Sequence, residues 1–397
     1  MFFVVVVFVM TLLYGYVGAR VIAPFDLTGM GTFIYWSVIV LLAMAPIGGM
    51  ILRSRGQENF LIDSLLWIGF IGMGLFSIAF VVFILRDLGW VTGTLSFKVL
   101  KTMTNSTNTS MEMDPGRRQF LLMSMNLGIV GVTSLLGGIG LFQATRKASV
   151  VNQRISIPRL PDEFQGLTIA QISDLHVGPT IKKDYVKTVV DQVNALKPDL
   201  IFFTGDMVDG SVEHLSEDVE PLRELKSKYG TYFVTGNHEY YSGVEQWIMK
   251  VEELGMIHLK NEHRILQKGG SSLAIAGVTD LMAHSTHKDH KSDPQRAMMG
   301  VPSNIPSILL AHQPGTAAYT QNLPIDLMVC GHTHGGQYIP FNLAVSRVHK
   351  YSAGYYRQGD MQIYVNRGTG YWGPPLRLGV PSEITFFTLD SGDVGKA

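Results

Sequence analysis

The chain has 397 residues, of which 46% are hydrophobic and only 16% charged, and its formal net charge is zero. That length leaves room for more than one structural unit, and the charge balance excludes a nucleic-acid partner recruited through bulk positive charge. A single cysteine, Cys330, excludes an intrachain disulfide.

The apolar residues crowd into the first 145 positions, whereas all twelve histidines lie beyond residue 170. In chain order, four uncharged stretches come first, at 1–19, 27–52, 64–85 and 119–145. A helix rises 1.5 Å per residue, so about 20 residues cross roughly 30 Å of hydrocarbon. The second and third stretches exceed that length; the first is marginal and lacks the basic start of a cleaved signal peptide. Residues 1–145 are therefore predicted as a transmembrane region of about four helices. The lipid bilayer is the expected partner, and the chain a multi-pass protein of the plasma (inner) membrane. The interiors of the four stretches carry no Asp, Glu, Lys, Arg or His, which argues against an ion pathway and for an anchor. Trp36, Trp67 and Trp90 suit interfacial anchoring, and Gly69, Gly72 and Gly74 mark close helix contacts.

The basic residues divide almost evenly between the two sides of such a bundle. Arg53, Arg55, Arg146, Lys147 and Arg154 fall on one, and Arg20, Arg86, Lys98, Lys101, Arg117 and Arg118 on the other, so orientation stays open. Gly116-Arg117-Arg118-Gln119-Phe120-Leu121 resembles a twin-arginine export signal; the alternative is a plain basic juxtamembrane pair. Export would put the C-terminal domain outside. The Ser/Thr/Asn-rich stretch 102–110, with two N-x-S/T patterns, is predicted as a flexible loop.

Residues 146–166, with Pro158 and Pro161, are predicted as a linker. Across 167–390 short apolar runs alternate with amphipathic segments. Strands are predicted at 167–172, 200–203, 231–234, 273–278, 307–311, 327–330, 362–365 and 383–389, with helices at 181–196, 220–228 and 244–254. The alternation makes the domain α/β; the late strands with little helix between them predict a second sheet, hence a sandwich.

Five strand ends carry polar residues of one kind. They are Ser173-Asp174-Leu175-His176, Gly205-Asp206-Met207-Val208-Asp209, Gly236-Asn237-His238-Glu239, His312-Gln313-Pro314 and Gly331-His332-Thr333-His334-Gly335-Gly336. Ligands of α/β sheets bind outside the carboxyl ends of strands. Five such loops would gather carboxylate, imidazole and amide donors, a mixture suited to Mn, Fe or Zn rather than Ca. Asp209 is expected beside the ligands or as a helix cap, and Glu239 as an orienting group. His284, His287 and His290 are expected in a solvated loop, and His214, His258, His263 and His349 at the surface or in packing. Cys330 reads as core.

Together the five motifs, in this order, resemble those of the calcineurin-like metallophosphoesterases over roughly 167–389. The resemblance implies a two-sheet α/β/β/α sandwich and two divalent metal ions. One would be held by Asp174, His176, Asp206 and His334. The other would be held by Asp206, Asn237, His312 and His332, with Asp206 bridging. It also implies that His238 contacts phosphate and protonates the leaving group. A bridging water of lowered pKa is the implied nucleophile, and Gly335 and Gly336 are expected to leave space for phosphate. Asp209 is followed directly by Gly210, without the Arg-Gly of the protein phosphatases, which disfavours a phosphoprotein substrate. The tail Asn366-Arg367-Gly368-Thr369-Gly370, then Pro375-Leu376-Arg377, Pro381 and Glu383, is similar to a membrane-associated bacterial branch. Part of that branch is linked to phospholipid or UDP-2,3-diacylglucosamine hydrolysis. A phosphodiester or pyrophosphate bond of a lipid-linked substrate is the expected target. Soluble nucleotides, or a scaffold whose domain only binds, are the alternatives; a nucleic-acid substrate is not expected, and the sequence leaves the oligomeric state open.

Overall fold

The structure, a computed structural model, describes residues 2–25, 27–103 and 114–392. The chain divides into two compact units, Met1–Leu141 and Phe142–Ala397. The first holds α1 (Phe2–Ile22), α2 (Met30–Ser54), α3 (Phe60–Met103) and α4 (Pro115–Thr145). Three of the four, α2, α3 and α4, are long and apolar enough to cross a membrane, whereas Val7–Ile22 of α1 is a shorter apolar helix. The close contact expected at Gly69 is present: a Cβ there would lie 2.6 Å from Cδ of Pro46 in α2.

The third helix departs from expectation. The apolar run 64–85 ends at Arg86-Asp87, but α3 continues to Met103. The charges do not end the helix because they are neutralised within the unit. Asp87 receives Arg86 Nη2 at 2.7 Å on one oxygen and Arg20 Nη2 at 2.7 Å on the other, with the Tyr16 hydroxyl donating at 2.6 Å. No proline interrupts the residues that follow. Ionisable groups thus do lie inside α3, beyond the stretch read as apolar. Of the loop expected at 102–110, the first two residues end α3, and both N-x-S/T patterns lie outside the described residues.

The second unit runs β1 (Ser149–Ser156), β2 (Thr168–Ile172), α5 (Lys183–Ala195), β3 (Leu200–Phe203), α6 (Val212–Val219), β4 (Thr231–Phe233), α7 (Asn237–Tyr241), α8 (Val244–Glu253), β5 (Ile257–His258), β6 (Glu262–Lys268), β7 (Ser271–Gly277), α9 (Pro294–Met298), β8 (Ser307–Leu310), β9 (Leu327–Cys330), α10 (Phe341–Val348), β10 (Gly354–Gln358), β11 (Met361–Val365) and β12 (Glu383–Asp390). Two six-stranded sheets result, in the orders β1-β12-β2-β3-β4-β5 and β10-β11-β9-β8-β7-β6. The eight strands read from the sequence are all present.

Part of the expected linker 146–166 is sheet instead: β1 lies parallel to β12, from Ser149 opposite Glu383 to Ser156 opposite Asp390. Its polar, mostly half-exposed residues hide an edge strand from a hydrophobicity reading, as they do for β6 and β10. The single helix expected at 220–228 is displaced forward into α6, followed by one tight turn of helix at Glu220–Glu224 containing Pro221.

Side-chain alternation builds the layers. In β2 and β3, Ile169, Leu200 and Phe202 point between the sheets, where they meet Ile275, Ile308, Leu327 and Phe387. Their neighbours Ala170, Ile201 and Phe203 point outward against Val189 and Val193 of α5 and Trp247 of α8. On the far side of the second sheet, Ala276, Leu309, Met328 and Ile363 pack with Ala297 and Met298 of α9. Three apolar layers on two sheets make the α/β/β/α sandwich, since strands buried on both faces are near-continuously apolar.

Candidate metal centre

The five loops follow β2, β3, β4, β8 and β9, and converge at the carboxyl ends of these parallel strands. Backbone bonds lock them together. Asp174 N–H donates to Gly205 O at 2.9 Å, Gly331 N–H to His312 O at 2.9 Å, and Val177 bridges Val208. Asp174, His176, Asp206, His332 and His334 all have left-handed backbone, with φ of 52°, 52°, 53°, 72° and 50°. Such conformations cost of order 1–3 kcal/mol each in non-glycine residues and concentrate at functional sites. Each turns its side chain sharply off its strand into one space. Gly331 permits the closest approach: a Cβ there would lie 2.1 Å from Asp174 Oδ2.

The donor atoms fall into groups with the spacing of a cation site. Asp174, His176 and His334 present atoms all within 4.8 Å of one another; so do Asp206, His312 and His332, and so do His176, Asp206 and His238. His176 Nε2 is 3.0 Å from His334 Nε2, and His332 Nδ1 is 3.2 Å from His312 Nε2. Asp206 Oδ2 lies 3.0 Å from His312 Nε2 and 3.8 Å from His176 Nε2. Two observations fit divalent cations here. Asn237 Oδ1 is buried without a hydrogen-bond partner, an expensive state for an amide oxygen that a cation would relieve. His312 donates Nδ1–H to Thr204 O at 2.7 Å, which orients the ring so that Nε2 is the nitrogen that faces Asp206 and is placed to ligate a cation.

Around the donors stands a supporting shell. Asp209 is not grouped with the donor sets; its Oδ1 receives Nδ1 of His176 at 3.2 Å and also Nδ1 of His238, so it orients two rings. Burial works to raise the Asp209 carboxyl, but the facing His176 and His238 hold it well below the usual range. Burial likewise pulls His238 down, yet Asp209 and Asp206 outweigh it and lift its pKa to about 9. Glu239, fully buried, accepts from the N–H groups of Asp206 at 3.0 Å, Met207 at 2.7 Å and Gly236 at 2.6 Å. Burial and the nearby Asp206 push it up to about 7.

Seven of the site residues expected from the sequence, Asp174, His176, Asp206, His238, His312, His332 and His334, come together in these groups; the eighth, Asn237, is buried at the start of α7, next to His238 in the chain. Other readings change. His290 is buried, with the Tyr240 hydroxyl 3.1 Å from its Nδ1, and the His287 ring lies tilted beside it with centroids 5.4 Å apart; only His284 of that tract stands exposed without such packing. The aromatic Tyr240 after the Gly-Asn-His-Glu motif draws the tract inward. His349 sits 5.8 Å, ring to ring, from His332. Gly336 does not hold space open: a Cβ there would strike Asn342 Cα of α10 at 2.3 Å. The glycine lets α10 pack directly on the loop.

The tail contributes what the sequence did not assign. Arg377 is fully buried and donates to the carbonyls of Arg367 at 2.7 Å, His334 at 3.1 Å and Gly368 at 3.2 Å. Its guanidinium, with five donors in a fixed fork, clamps the His334 loop to the 366–370 turn. Buried Glu383 pairs with Arg367 and accepts from the Tyr364 hydroxyl at 2.6 Å. The motif itself was visible; that it braces the last histidine depends on a long-range fold.

A stability test follows from the His238–Asp209 pair. The folded pKa of His238, about 9, lies above its ordinary 6.5, so the protonated ring favours the folded state. In chelator-treated protein the pair is expected to contribute about 3 kcal/mol below pH 6.5, and to lose it as pH rises through about 9. Asp209→Asn should flatten the thermal midpoint's pH dependence over that window; an unchanged slope contradicts the pairing.

Residues 167–336 match the family described as calcineurin-like phosphoesterase. A transmembrane protein with metallophosphoesterase domain from Danio rerio is 33% identical over 364 residues, covering 89% of this chain and 80% of that protein. A metallophosphoesterase of Helicobacter pylori is 37% identical over 279 residues, covering 69% of this chain and 73% of that one. Among solved structures, a 5'-nucleotidase precursor from Thermus thermophilus aligns with a TM-score of 0.37 and 14% identity, over 56% of this chain and 54% of that one. With the loops, donors and helices as described, the chain belongs to the calcineurin-like phosphoesterases, metal-dependent phosphoric ester hydrolases, here preceded by three candidate membrane spans.

Proposed function

We propose that Asp174, His176, Asp206 and His334 hold one divalent cation and Asp206, Asn237, His312 and His332 a second. The domain, 167–390, then hydrolyses a phosphodiester or pyrophosphate bond of a lipid-linked substrate, at a membrane to which 1–145 anchors it. The observation that carries the reading is Asp206, whose one oxygen, Oδ2, faces both His312 at 3.0 Å and His176 at 3.8 Å. A shared carboxylate between two donor sets is what a two-cation site requires. The mixed imidazole, carboxylate and amide donors favour Mn, Fe or Zn. When bound, such a pair neutralises phosphoryl oxygens and lowers the pKa of water.

The remaining chemistry belongs to the side chains. Asp209 receives His238 Nδ1–H, so the other ring nitrogen, Nε2, is turned inward, 4.0 Å from Asp206 Oδ2. A protonated His238 in that position gives its Nε2 proton to the departing oxygen. Glu239 accepts the N–H groups of Asp206 and Met207, which keeps the shared carboxylate in place. Tyr241 and Trp372 flank His238, with ring centroids at 5.4 Å and 5.7 Å. Both are exposed, as are Phe341 and Leu343 on α10. An apolar rim beside a polar centre suits an amphiphile, whether phospholipid or UDP-2,3-diacylglucosamine in type, better than a small soluble nucleotide.

With bis-p-nitrophenyl phosphate and Mn²⁺, wild-type protein should turn over at least about 10³-fold faster than Asp206→Ala; equal rates contradict the site. His238→Gln should lower kcat by about 10²–10⁴-fold on an ester with an alkoxide leaving group. On p-nitrophenyl esters, whose leaving group needs no proton, the loss should be far smaller. Equal losses on both contradict the role of proton donor.

A further inference from the structure

We propose that the membrane unit carries a binding site for the phosphate of an anionic phospholipid, enclosed by the end of α1, the middle of α3 and the first turns of α4. A cavity of about 280 Å³ lies there, with Arg20, Arg86 and Arg118 in its wall. Among the described residues lining it, Asp87 is the one carboxylate. Both of its oxygens are already engaged, one by Arg86 and the other by Arg20 and the Tyr16 hydroxyl. Asn126 is engaged too: its Oδ1 accepts Arg86 Nη1 at 2.6 Å and its Nδ2 donates to Arg20 O at 2.7 Å. Arg20 and Arg86 share the one carboxylate and Arg118 is not among its partners, so the wall carries three positive charges against one negative, an excess of two for an anion from outside the described chain.

The depth of the cavity says which anion. At 1.5 Å per residue, the stretch of α3 from Phe60 to Leu85 alone spans about 39 Å, so Arg86 falls past roughly 30 Å of hydrocarbon, at headgroup level. Trp90, one turn on, lines the same cavity and is exposed, as an interfacial tryptophan is. Guanidiniums grip phosphate oxygens in pairs, and basic pockets between membrane helices take anionic headgroups. Leu122 and Met125 of α4 complete the wall with apolar surface, which gives acyl chains a path that a free phosphate would not use. The ammonium of a zwitterionic choline headgroup would meet the surplus cations, so the site favours lipids of net negative charge.

The test is native mass spectrometry of the full chain, delipidated in detergent and offered equimolar phosphatidylglycerol and phosphatidylcholine. The wild type should retain one phosphatidylglycerol with about a 10-fold preference, and Arg20→Gln with Arg118→Gln should reduce that to about 2-fold or less. Arg118→Gln alone is the second variant, since that side chain is exposed and makes no ion pair with the lining carboxylate. It should weaken retention while leaving elution volume and helix content unchanged. Equal retention of the two lipids by wild type, or an unaltered preference in both variants, overturns the proposal. Displacement of the lipid by millimolar inorganic phosphate also overturns it, in favour of a free-anion site.

Discussion

The second unit is arranged around one carboxylate. Asp206 leaves β3 in left-handed backbone, accepts His238 N–H on Oδ1 at 2.9 Å, and turns Oδ2 toward histidines from two different loops. Its own N–H is taken by Glu239. The strained turns, the buried Glu239 and the buried Arg377 brace hold that arrangement. Five loops from two sheets meet here because all their strands run parallel, with their carboxyl ends on one edge.

The supporting groups are dispersed over the whole domain. Glu239 is local, three residues from Gly236, and Asp209 is three residues from Asp206. Arg377, by contrast, reaches the site only after β12 has returned beside β2, so that the 366–383 tail passes beneath the last histidine loop. Close packing of Gly331 on Ser173 and Asp174 and of Gly336 on Asn342 then fixes that loop. This division explains why the convergence of the motif residues was legible in the sequence and the bracing was not. Short motifs encode the donors at strand ends, whereas the clamp is made by sheet closure.

The same distinction governs the rest of the chain. Strands with buried, β-branched or aromatic faces, such as Leu200–Phe203 and Leu327–Cys330, announce themselves. Edge strands of polar, half-exposed residues, Ser149–Ser156 above all, do not, because their pairing partner supplies what their side chains lack. In the membrane unit, hydropathy found the apolar runs but ended the third at Arg86. The helix continues because Asp87, Arg20, Tyr16 and Asn126 neutralise or bond that charge from three different helices. His290, read as part of a solvated loop, is drawn in by Tyr240, a contact with a sequence separation of 50.

The most direct test of a shared carboxylate between two cation sites is to count ions. Elemental analysis of purified chain loaded with Mn²⁺ should find about two ions per wild-type chain. Removing one unshared donor from each set, His334→Ala or His332→Ala, should leave about one ion in each variant, and Asp206→Ala fewer than either. A wild-type chain that binds a single ion, or variants that keep the wild-type count, would contradict the account.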